Sequence, residues 1–95
     1  MLYAVICKDK PNSTPLRDAT RPTHLDYLQK DGLSKGRPVF TGPMLGADEA
    51  TPIGSLMVVE AESRAAIEEW AAGDPYAKAG LFESVEIRPF RKVIG

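Results

Sequence analysis

The stretch "GSLMVVEAESRAAIEEWAAG", residues 54–73, decides the fold. Its first half is a run of aliphatic residues with adjacent valines, which is typical of a β-strand. In its second half the apolar residues, Ile67 and Trp70 among them, are spaced as on one face of an amphipathic helix. Ser63 is the predicted N-cap of that helix, and Gly73 is its predicted C′ residue. A strand and a helix therefore follow each other with almost no loop between them.

The N-terminal half of the chain shows the same alternation. Residues 2–8, "LYAVICK", predict a strand whose nearly continuous apolar character favours the centre of a sheet. The stretch "DKPNSTPLRDAT", residues 9–20, holds two prolines and several turn formers, so we predict a loop that can include one helical turn over 15–19. A helix is predicted over residues 20–32, with Pro22 in its first turn, where a missing amide hydrogen costs little.

Two further strands complete the pattern. Residues 37–45, "RPVFTGPML", predict a strand that ends at Gly42 and Pro43, and residues 81–94 predict a last strand in which Pro89 marks an edge or a bulge. The order is β-α-β-β-α-β, the ferredoxin-like α+β arrangement of an antiparallel sheet with two helices on one face. The other face of such a sheet is bare, so we expect a second copy to cover it in a twofold homodimer, sheet against sheet.

Length and composition limit the classes of function. The 95 residues are expected to form one domain, residues 1–95. The 12 basic and 13 acidic residues are dispersed, which argues against nucleic acid or an anionic membrane as a partner. No apolar stretch reaches the roughly 18–20 residues of a membrane span, and the N-terminus lacks the features of a signal peptide. The single cysteine, Cys7, is expected to be a buried structural thiol in a reducing compartment, hence the cytoplasm.

Several familiar kinds of site are missing from the sequence. One histidine and one cysteine do not make a zinc site, so we expect no metal. There is no glycine-rich phosphate loop and no dinucleotide-binding fingerprint, so we expect no cofactor. No nucleophile elbow is present either. Any chemistry must therefore come from ordinary side chains.

Two titratable residues are the main candidates for such chemistry. His24, the only histidine, lies at the border of the apolar face of the first predicted helix, where it is either a partly exposed surface residue or an acid–base group pointing into a cleft. Asp74, in "GDPY", is a predicted N-cap for a short turn over residues 75–79. It could equally hold one nitrogen of an imidazole as a donor and leave the other free as a base. The two roles are compatible, because one carboxylate oxygen can cap while the other orients.

Four more positions have both a structural and a functional interpretation. Arg21 precedes His24 by one helical turn, and Arg17 lies on the approaching loop. Their guanidinium groups are either solvated charge or ligands for an anionic or enolic substrate. Tyr76 either packs beneath the turn or presents its phenol to the same cleft. Gly42 either ends a strand or lets a ligand approach the backbone closely.

Together these elements resemble the YCII (YciI-like) family. The resemblance rests on "YAVIC", "RPTHLDYL", "GLSKGRPVFTGPM", "GSLMVVEAESRAAIEEW" and "GDPYAKAGLFESVEIRPF", which run in the family's order from end to end of the chain. It implies a ferredoxin-like α+β domain that pairs into a dimer related to the dimeric α/β barrels. It also implies an active site formed by a His–Asp pair in a cleft, here His24 and Asp74. The other positions to which it assigns a place are Arg21, the turn of Gly42 and Pro43, and Tyr76.

Three hypotheses for function follow from the residues and the resemblance. In the first, the protein is a small cofactor-independent enzyme in which His24 is the general acid–base, Asp74 orients it, and Arg21, Arg17 and Tyr76 bind the substrate. Its reaction would be an elimination, a tautomerisation or a related proton transfer on a small cyclic or enolisable compound. One branch of the family is associated with dehydrochlorination of a chlorinated, hydroxylated aromatic. The second hypothesis is a non-catalytic module that binds a small ligand or a protein. The third is cofactor-independent oxidation, by analogy with related dimeric barrels.

Overall fold

The computed structural model describes residues 1–95, and its elements follow the predicted order, with the short turn predicted after the second helix present as a separate helical element. The strands are β1 (Leu2–Asp9), β2 (Arg37–Leu45), β3 (Pro52–Glu60) and β4 (Phe82–Phe90). The helical elements are α1 (Thr14–Asp26), a π-helical turn that continues it (Tyr27–Asp31), α2 (Arg64–Gly73) and the short α3 (Pro75–Lys78). None of these helices is long and apolar enough to cross a membrane.

The four strands form one antiparallel sheet in the order β2-β3-β1-β4. The central strand β1 pairs with β3 and β4, and Val5 lies opposite Met57 on one side and Ile87 on the other. The apolar character of β1 and β3 follows from this central place, since the faces of a central strand are shielded more than those of an edge strand. The ferredoxin-like α+β fold predicted from the sequence is confirmed.

The core lies between the helices and one face of the sheet. Val5 of β1 meets Ile67 and Trp70 of α2, and all three side chains are fully buried. Removing a buried aromatic of this size typically costs about 3–5 kcal/mol of stability. Ser63 caps α2 as predicted, because its hydroxyl accepts a hydrogen bond from the N–H of Ala66 at 3.1 Å. The amphipathic stripe read from the sequence therefore forms the helical side of the core.

The first helix begins earlier than the sequence predicts. It starts at Thr14, with Pro15 in its first turn, so the helical turn expected over residues 15–19 is part of α1, and the loop predicted for the rest of residues 14–20 is wrong. Pro22 lies inside the helix and not in its first turn. A proline in the first turn favours a helical start, and the sequence offers two such prolines; Pro15 has the role that the prediction gives to Pro22.

The longer helix changes the geometry of the candidate site. Arg17 lies on α1 and not on an approaching loop, which corrects the prediction for it. Arg17, Arg21 and His24 are separated by four and then three residues, so they follow one face of a single helix. All three side chains therefore reach the same side of the sheet.

The turn predicted at Gly42 and Pro43 is wrong. The strand β2 continues through both residues to Leu45. A proline is tolerated there because β2 is an edge strand, whose free side has no ladder to interrupt. Pro89 also lies in an edge strand, β4, as the prediction for it requires.

The second face of the sheet is not covered by the helices. Its apolar side chains come from all four strands and are Leu2, Ala4, Ile6, Phe40, Met44, Leu56, Val58 and Phe90. We call this set the outer sheet face. Phe40 and Phe90 have 55% and 40% of their surface exposed. These two side chains lie at opposite edges of the sheet, and the apolar side chains between them are half-buried or, for Val58, buried. An apolar sheet face that no helix covers is typical of interaction surfaces.

Candidate functional site

His24 and Asp74 form a buried pair. His24 extends from α1, and Asp74 stands at the junction of α2 and α3. Nδ1 of His24 lies 2.7 Å from Oδ1 of Asp74. The two residues are only 6% and 0% exposed. The sequence leaves open a surface histidine and a simple cap, whereas the structure brings the two side chains into direct contact.

One oxygen of Asp74 both caps a helix and contacts the imidazole. Oδ1 faces His24 and also accepts a hydrogen bond from the backbone N–H of Tyr76 at 2.9 Å, which makes Asp74 the N-cap of α3 as predicted. The expectation that one oxygen caps the helix while the other orients the imidazole is wrong, because Oδ1 does both. Oδ2 is buried and has no hydrogen-bond partner.

This contact assigns the two nitrogens of the imidazole. An ionised carboxylate only accepts hydrogen bonds, so Nδ1 of His24 carries the hydrogen and donates it to Asp74. Nε2 makes no hydrogen bond within the protein. In the neutral ring this second nitrogen holds a free lone pair, which is the form a general base requires.

Tyr76 packs directly against the imidazole. Its ring stacks on His24 with centroids 3.9 Å apart, and Phe82 meets it edge-on at 5.9 Å. Burial raises the pKa of the Tyr76 phenol, while Arg17 and Arg21 act in the opposite direction. The phenol is therefore protonated at neutral pH and can donate a hydrogen bond. Tyr76 packs beneath the turn, and it also lines the cavity beside His24. The packing role and the place in the cleft that the sequence offers as alternatives are therefore compatible.

Arg17 is held in a buried ion pair. Its Nε and Nη2 donate to the carboxylate of Asp9 at 2.8 and 3.1 Å, and Nη2 also donates to Oγ of Ser55 at 2.9 Å. Its Cζ lies 4.7 Å from the ring centroid of Tyr76, within cation–π range. Burial by itself lowers the pKa of Arg17, but Asp9 outweighs this effect and the net pKa is raised. Arg17 is thus charged, but most of its donors are already engaged.

Asp9 and Ser55, the two hydrogen-bond partners of Arg17, are not predicted from the sequence. Asp9 ends β1 and falls in the predicted loop, while Ser55 lies within an apolar run. One signal was available for Asp9, because it continues the inward alternation of Tyr3, Val5 and Cys7. A carboxylate at an inward position needs a charged partner, which would have directed attention to an arginine.

The pair opens onto a cavity of about 200 Å³ between α1, β2 and β3. Its lining contains every predicted site residue except Asp74, which lies behind the imidazole. These lining residues are Arg17, Arg21, His24, Gly42, Pro43 and Tyr76. Arg21 is exposed at the cavity and forms no salt bridge within the protein. It is the cationic group most available to a ligand.

Gly42 contributes only backbone to the cavity. Its neighbours Thr41 and Pro43 pair with Met57 and Ser55, whose side chains face the helices. Because side chains alternate along a strand, a side chain at position 42 would point to the outer sheet face. A Cβ there would meet no atom within 4 Å. The missing side chain therefore does not enlarge the cavity.

Cys7 lies behind the site in the core. Burial, with added effects of Asp74 and Asp9, raises the pKa of its thiol to about 12. The thiol is therefore protonated at neutral pH and is not a nucleophile there, in agreement with the structural role predicted for it. The structure has no group of three or more His, Cys, Asp or Glu side chains placed to hold a metal ion.

The fold and the site together define a small ferredoxin-like α+β domain whose only histidine pairs with a buried carboxylate beside a cavity. The chain matches the YCII-related domain over residues 1–91, and it belongs to that family. It is 40% identical over 98 residues to protein YciI of Escherichia coli, covering 98% of this chain and 99% of that one. It is 33% identical over 87 residues to the derivative of benzaldehyde biosynthesis cluster protein C of Emericella nidulans, covering 83% and 88%.

Solved structures share the fold. The 5-chloro-2-hydroxyhydroquinone dehydrochlorinase TftG of Burkholderia phenoliruptrix, solved in complex with 2,5-dihydroxybenzoquinone, superposes with a TM-score of 0.83. It is 33% identical, and the superposition covers 96% of this chain and 94% of that one. An antibiotic biosynthesis monooxygenase superposes with a TM-score of 0.55 at 14% identity, covering 99% and 100%. The second similarity concerns the fold alone.

Proposed function

We propose that this protein is a small enzyme that uses His24 as a general acid–base in a proton transfer on a small cyclic or enolisable compound. The observation that carries the proposal is the buried contact between Nδ1 of His24 and Asp74, which leaves Nε2 without a protein partner beside a cavity. Buried ionisable pairs in a cleft are typical of acid–base sites. Capping of α3 alone would explain the carboxylate of Asp74, but neither its contact with the imidazole nor the cavity beside it.

The reaction begins when Nε2 of His24 takes a proton from a substrate hydroxyl or an acidic carbon. The electron pair left on the substrate forms a double bond, and in an elimination the leaving group departs with the electron pair of its own bond. In a tautomerisation Nε2 returns the proton to another atom of the substrate. Asp74 keeps the hydrogen on Nδ1 and stabilises the imidazolium that forms. The Tyr76 ring stabilises the same cation from its face.

The remaining residues suit a small, oxygen-rich ligand. Arg21 offers a guanidinium without a carboxylate partner, which can bind an enolate or phenolate through two hydrogen bonds. The Tyr76 hydroxyl adds a neutral donor. Arg17 adds positive charge, although Asp9 offsets most of it. The dehydrochlorinase relative acts on a chlorinated hydroxyhydroquinone, so a hydroxylated six-membered ring is the first substrate class to test.

The test is chloride release from 5-chloro-2-hydroxyhydroquinone by the purified protein and by its His24→Gln variant. We expect turnover by the unmodified protein and a loss of about 10²–10⁴-fold in the variant, the usual contribution of a general base. Asp26→Asn is the matched control, because Asp26 is exposed on the same helix. Tight binding of 2,5-dihydroxybenzoquinone without chloride release from the chlorinated compound would instead favour a non-catalytic binding module.

We also propose that the working form is a homodimer in which two outer sheet faces pack together. The apolar side chains of that face, with Phe40 more than half exposed, support the proposal. Closed twofold pairs are the commonest way to cover such a surface. The balanced charge of the chain supports a small-molecule partner more than nucleic acid. The single buried Cys7 supports a cytoplasmic location.

A further inference from the structure

Tyr27 joins the two helices that carry the His–Asp pair. Its hydroxyl donates a hydrogen bond to the carbonyl oxygen of Trp70 at 2.8 Å. Its backbone N–H bonds to the carbonyl oxygens of Thr23 and His24. One residue is therefore tied to α1 beside His24 and to α2 one helical turn before Asp74.

The carbonyl of Trp70 needs this partner because of the way α2 ends. In a continuing α-helix the N–H of Asp74 would bond to that carbonyl. Here the N–H of Asp74 bonds instead to the carbonyl of Ala71 at 3.3 Å, where the chain turns to begin α3. The Trp70 carbonyl is thus one of the acceptors that a helix end leaves unpaired. The Tyr27 hydroxyl takes the place of the missing amide, in a part-buried position where an unpaired acceptor is costly.

Two glycines make room for the Tyr27 ring. A Cβ on Gly73 would lie 2.5 Å from the hydroxyl oxygen of Tyr27, and one on Gly32 would lie 2.7 Å from its Cε2. The prediction of Gly73 as a C′ residue is wrong, since Gly73 is the last residue of α2 and its φ is not positive. Its lack of a side chain is explained by the close approach of Tyr27. The π-helical turn also begins at Tyr27.

We infer that Tyr27 is a positioning residue that fixes the spacing of α1 and α2 and so keeps Nδ1 of His24 within hydrogen-bond distance of Asp74. The backbone of Asp74 is held where α2 meets α3, but its carboxylate reaches His24 and the N–H of Tyr76 through Oδ1 alone, because Oδ2 has no partner. Burial, and after it the Asp74 carboxylate, raises the pKa of Tyr27, as the nearness of the two groups requires. The catalytic consequence rests on the proposed function, whereas the positioning itself does not.

The experiment measures how fast the Nδ1 hydrogen of His24 exchanges with solvent, by NMR of ¹⁵N-labelled protein. The chain has one histidine, so the imidazole signals need no assignment. In Tyr27→Phe, which removes only the hydroxyl, we expect exchange to be about tenfold faster, the effect of losing one hydrogen bond. Tyr3→Phe is the matched control, because Tyr3 is a second core tyrosine whose hydroxyl bonds no protein group. We expect its exchange rate to match that of the unmodified protein.

A second variant covers the case in which Tyr27→Phe fails to fold. Gly73→Ala keeps the Tyr27 hydroxyl but places a methyl group against it, and we expect the same faster exchange. Equal exchange rates in the unmodified protein and in the folded Tyr27 or Gly73 variants would overturn the inference and leave the proposed function untouched. Faster exchange in a protein without any turnover would support the positioning role and count against the proposed function. With turnover present, Tyr27→Phe should lower kcat and leave KM unchanged.

Discussion

The phenol ring of Tyr76 lies flat on the imidazole of His24, with centroids 3.9 Å apart and planes inclined by 18°. The guanidinium of Arg17 approaches the same phenol ring, with Cζ 4.7 Å from its centroid. One aromatic ring stabilises two neighbouring cations poorly unless one of them is neutralised. Asp9 does this for Arg17 through two hydrogen bonds. The buried ion pair thus leaves the face of Tyr76 available to an imidazolium.

Replacing Tyr76 tests this arrangement. Tyr76→Leu removes the aromatic face, so we expect kcat to fall about 2–10-fold, since an aromatic stack is worth about 0.5–1.5 kcal/mol. Tyr76→Phe keeps the face and is the matched control for the ring itself. Steady-state kinetics on the chlorinated hydroquinone provide the measurement. Equal kcat values for the Leu and Phe variants would show that stacking does not assist the imidazole.

Asp74→Asn separates orientation from capping. Asparagine caps a helix about as well as aspartate, so the free energy of unfolding should change by less than about 1 kcal/mol. An amide does not hold the imidazole in one tautomer as a carboxylate does, so kcat should fall at least about 100-fold. Urea denaturation and steady-state kinetics measure the two effects.

Ser63→Ala is the control for the Asp74 variant. It removes the N-cap of α2 away from the cavity. We expect it to lower stability by about 1 kcal/mol and to leave kcat unchanged. An Asp74→Asn protein that keeps full turnover would mean that Asp74 is only a cap.

Asp9→Asn tests the ion pair that the sequence analysis misses. It leaves the buried charge of Arg17 without its carboxylate, so the free energy of unfolding should fall by about 3–5 kcal/mol. The matched control is Glu68→Gln, which breaks an exposed pair with Arg64 and should cost no more than about 1 kcal/mol. Urea denaturation provides both values. Similar losses in the two variants would mean that Ser55 and Tyr76 suffice to hold Arg17.

The parts of the fold that the sequence predicts are those with local signals. Ser63 and the spacing of Ile67 and Trp70 predict the first residue of α2 and its buried face, because a cap and an apolar period act within one helix. The start of α1 is missed because two prolines are equally able to begin a helix, and tertiary contacts choose between them. The buried pair of Arg17 with Asp9 helps to hold α1 from its first turns onward.

In the candidate site, too, residues with a local sequence signal are predicted and residues defined by tertiary contacts are not. His24 and Asp74 are candidates from the sequence because one is the only histidine and the other stands in a turn motif, and the resemblance to the YCII family pairs them. Tyr27 carries no such signal, since its role depends on a carbonyl of another helix that only the folded chain brings near. Gly73 carries a misleading one, because a glycine after a helix usually indicates a C′ residue. Contacts between elements distant in sequence are therefore where sequence reasoning fails.

The stability of the protein should fall with rising pH between about 9 and 12 through Cys7. Burial raises the pKa of its thiol from the usual 9.0 to about 12 in the folded protein. The unfolded chain therefore loses this proton first, which favours unfolding as the pH rises. Below pH 9 the contribution is fully present. Urea denaturation across this range should show a steeper fall in the unmodified protein than in Cys7→Ala, and equal slopes would contradict the assignment of the pKa.

Charge on the outer sheet face should separate the proposed dimer. Phe40 lies opposite Val58 on β3 and is 55% exposed in a single chain. In a dimer built on this face Phe40→Lys buries an unpaired ammonium, which costs several kcal/mol, so the dimer should dissociate at micromolar concentration. Leu33→Lys is the matched control, because Leu33 is 42% exposed but lies in the loop before β2.

Sedimentation equilibrium should give twice the chain mass for the unmodified protein and the control, and the chain mass for Phe40→Lys. A dimer that survives Phe40→Lys must use another surface, and a monomeric unmodified protein would leave the outer sheet face to a different partner.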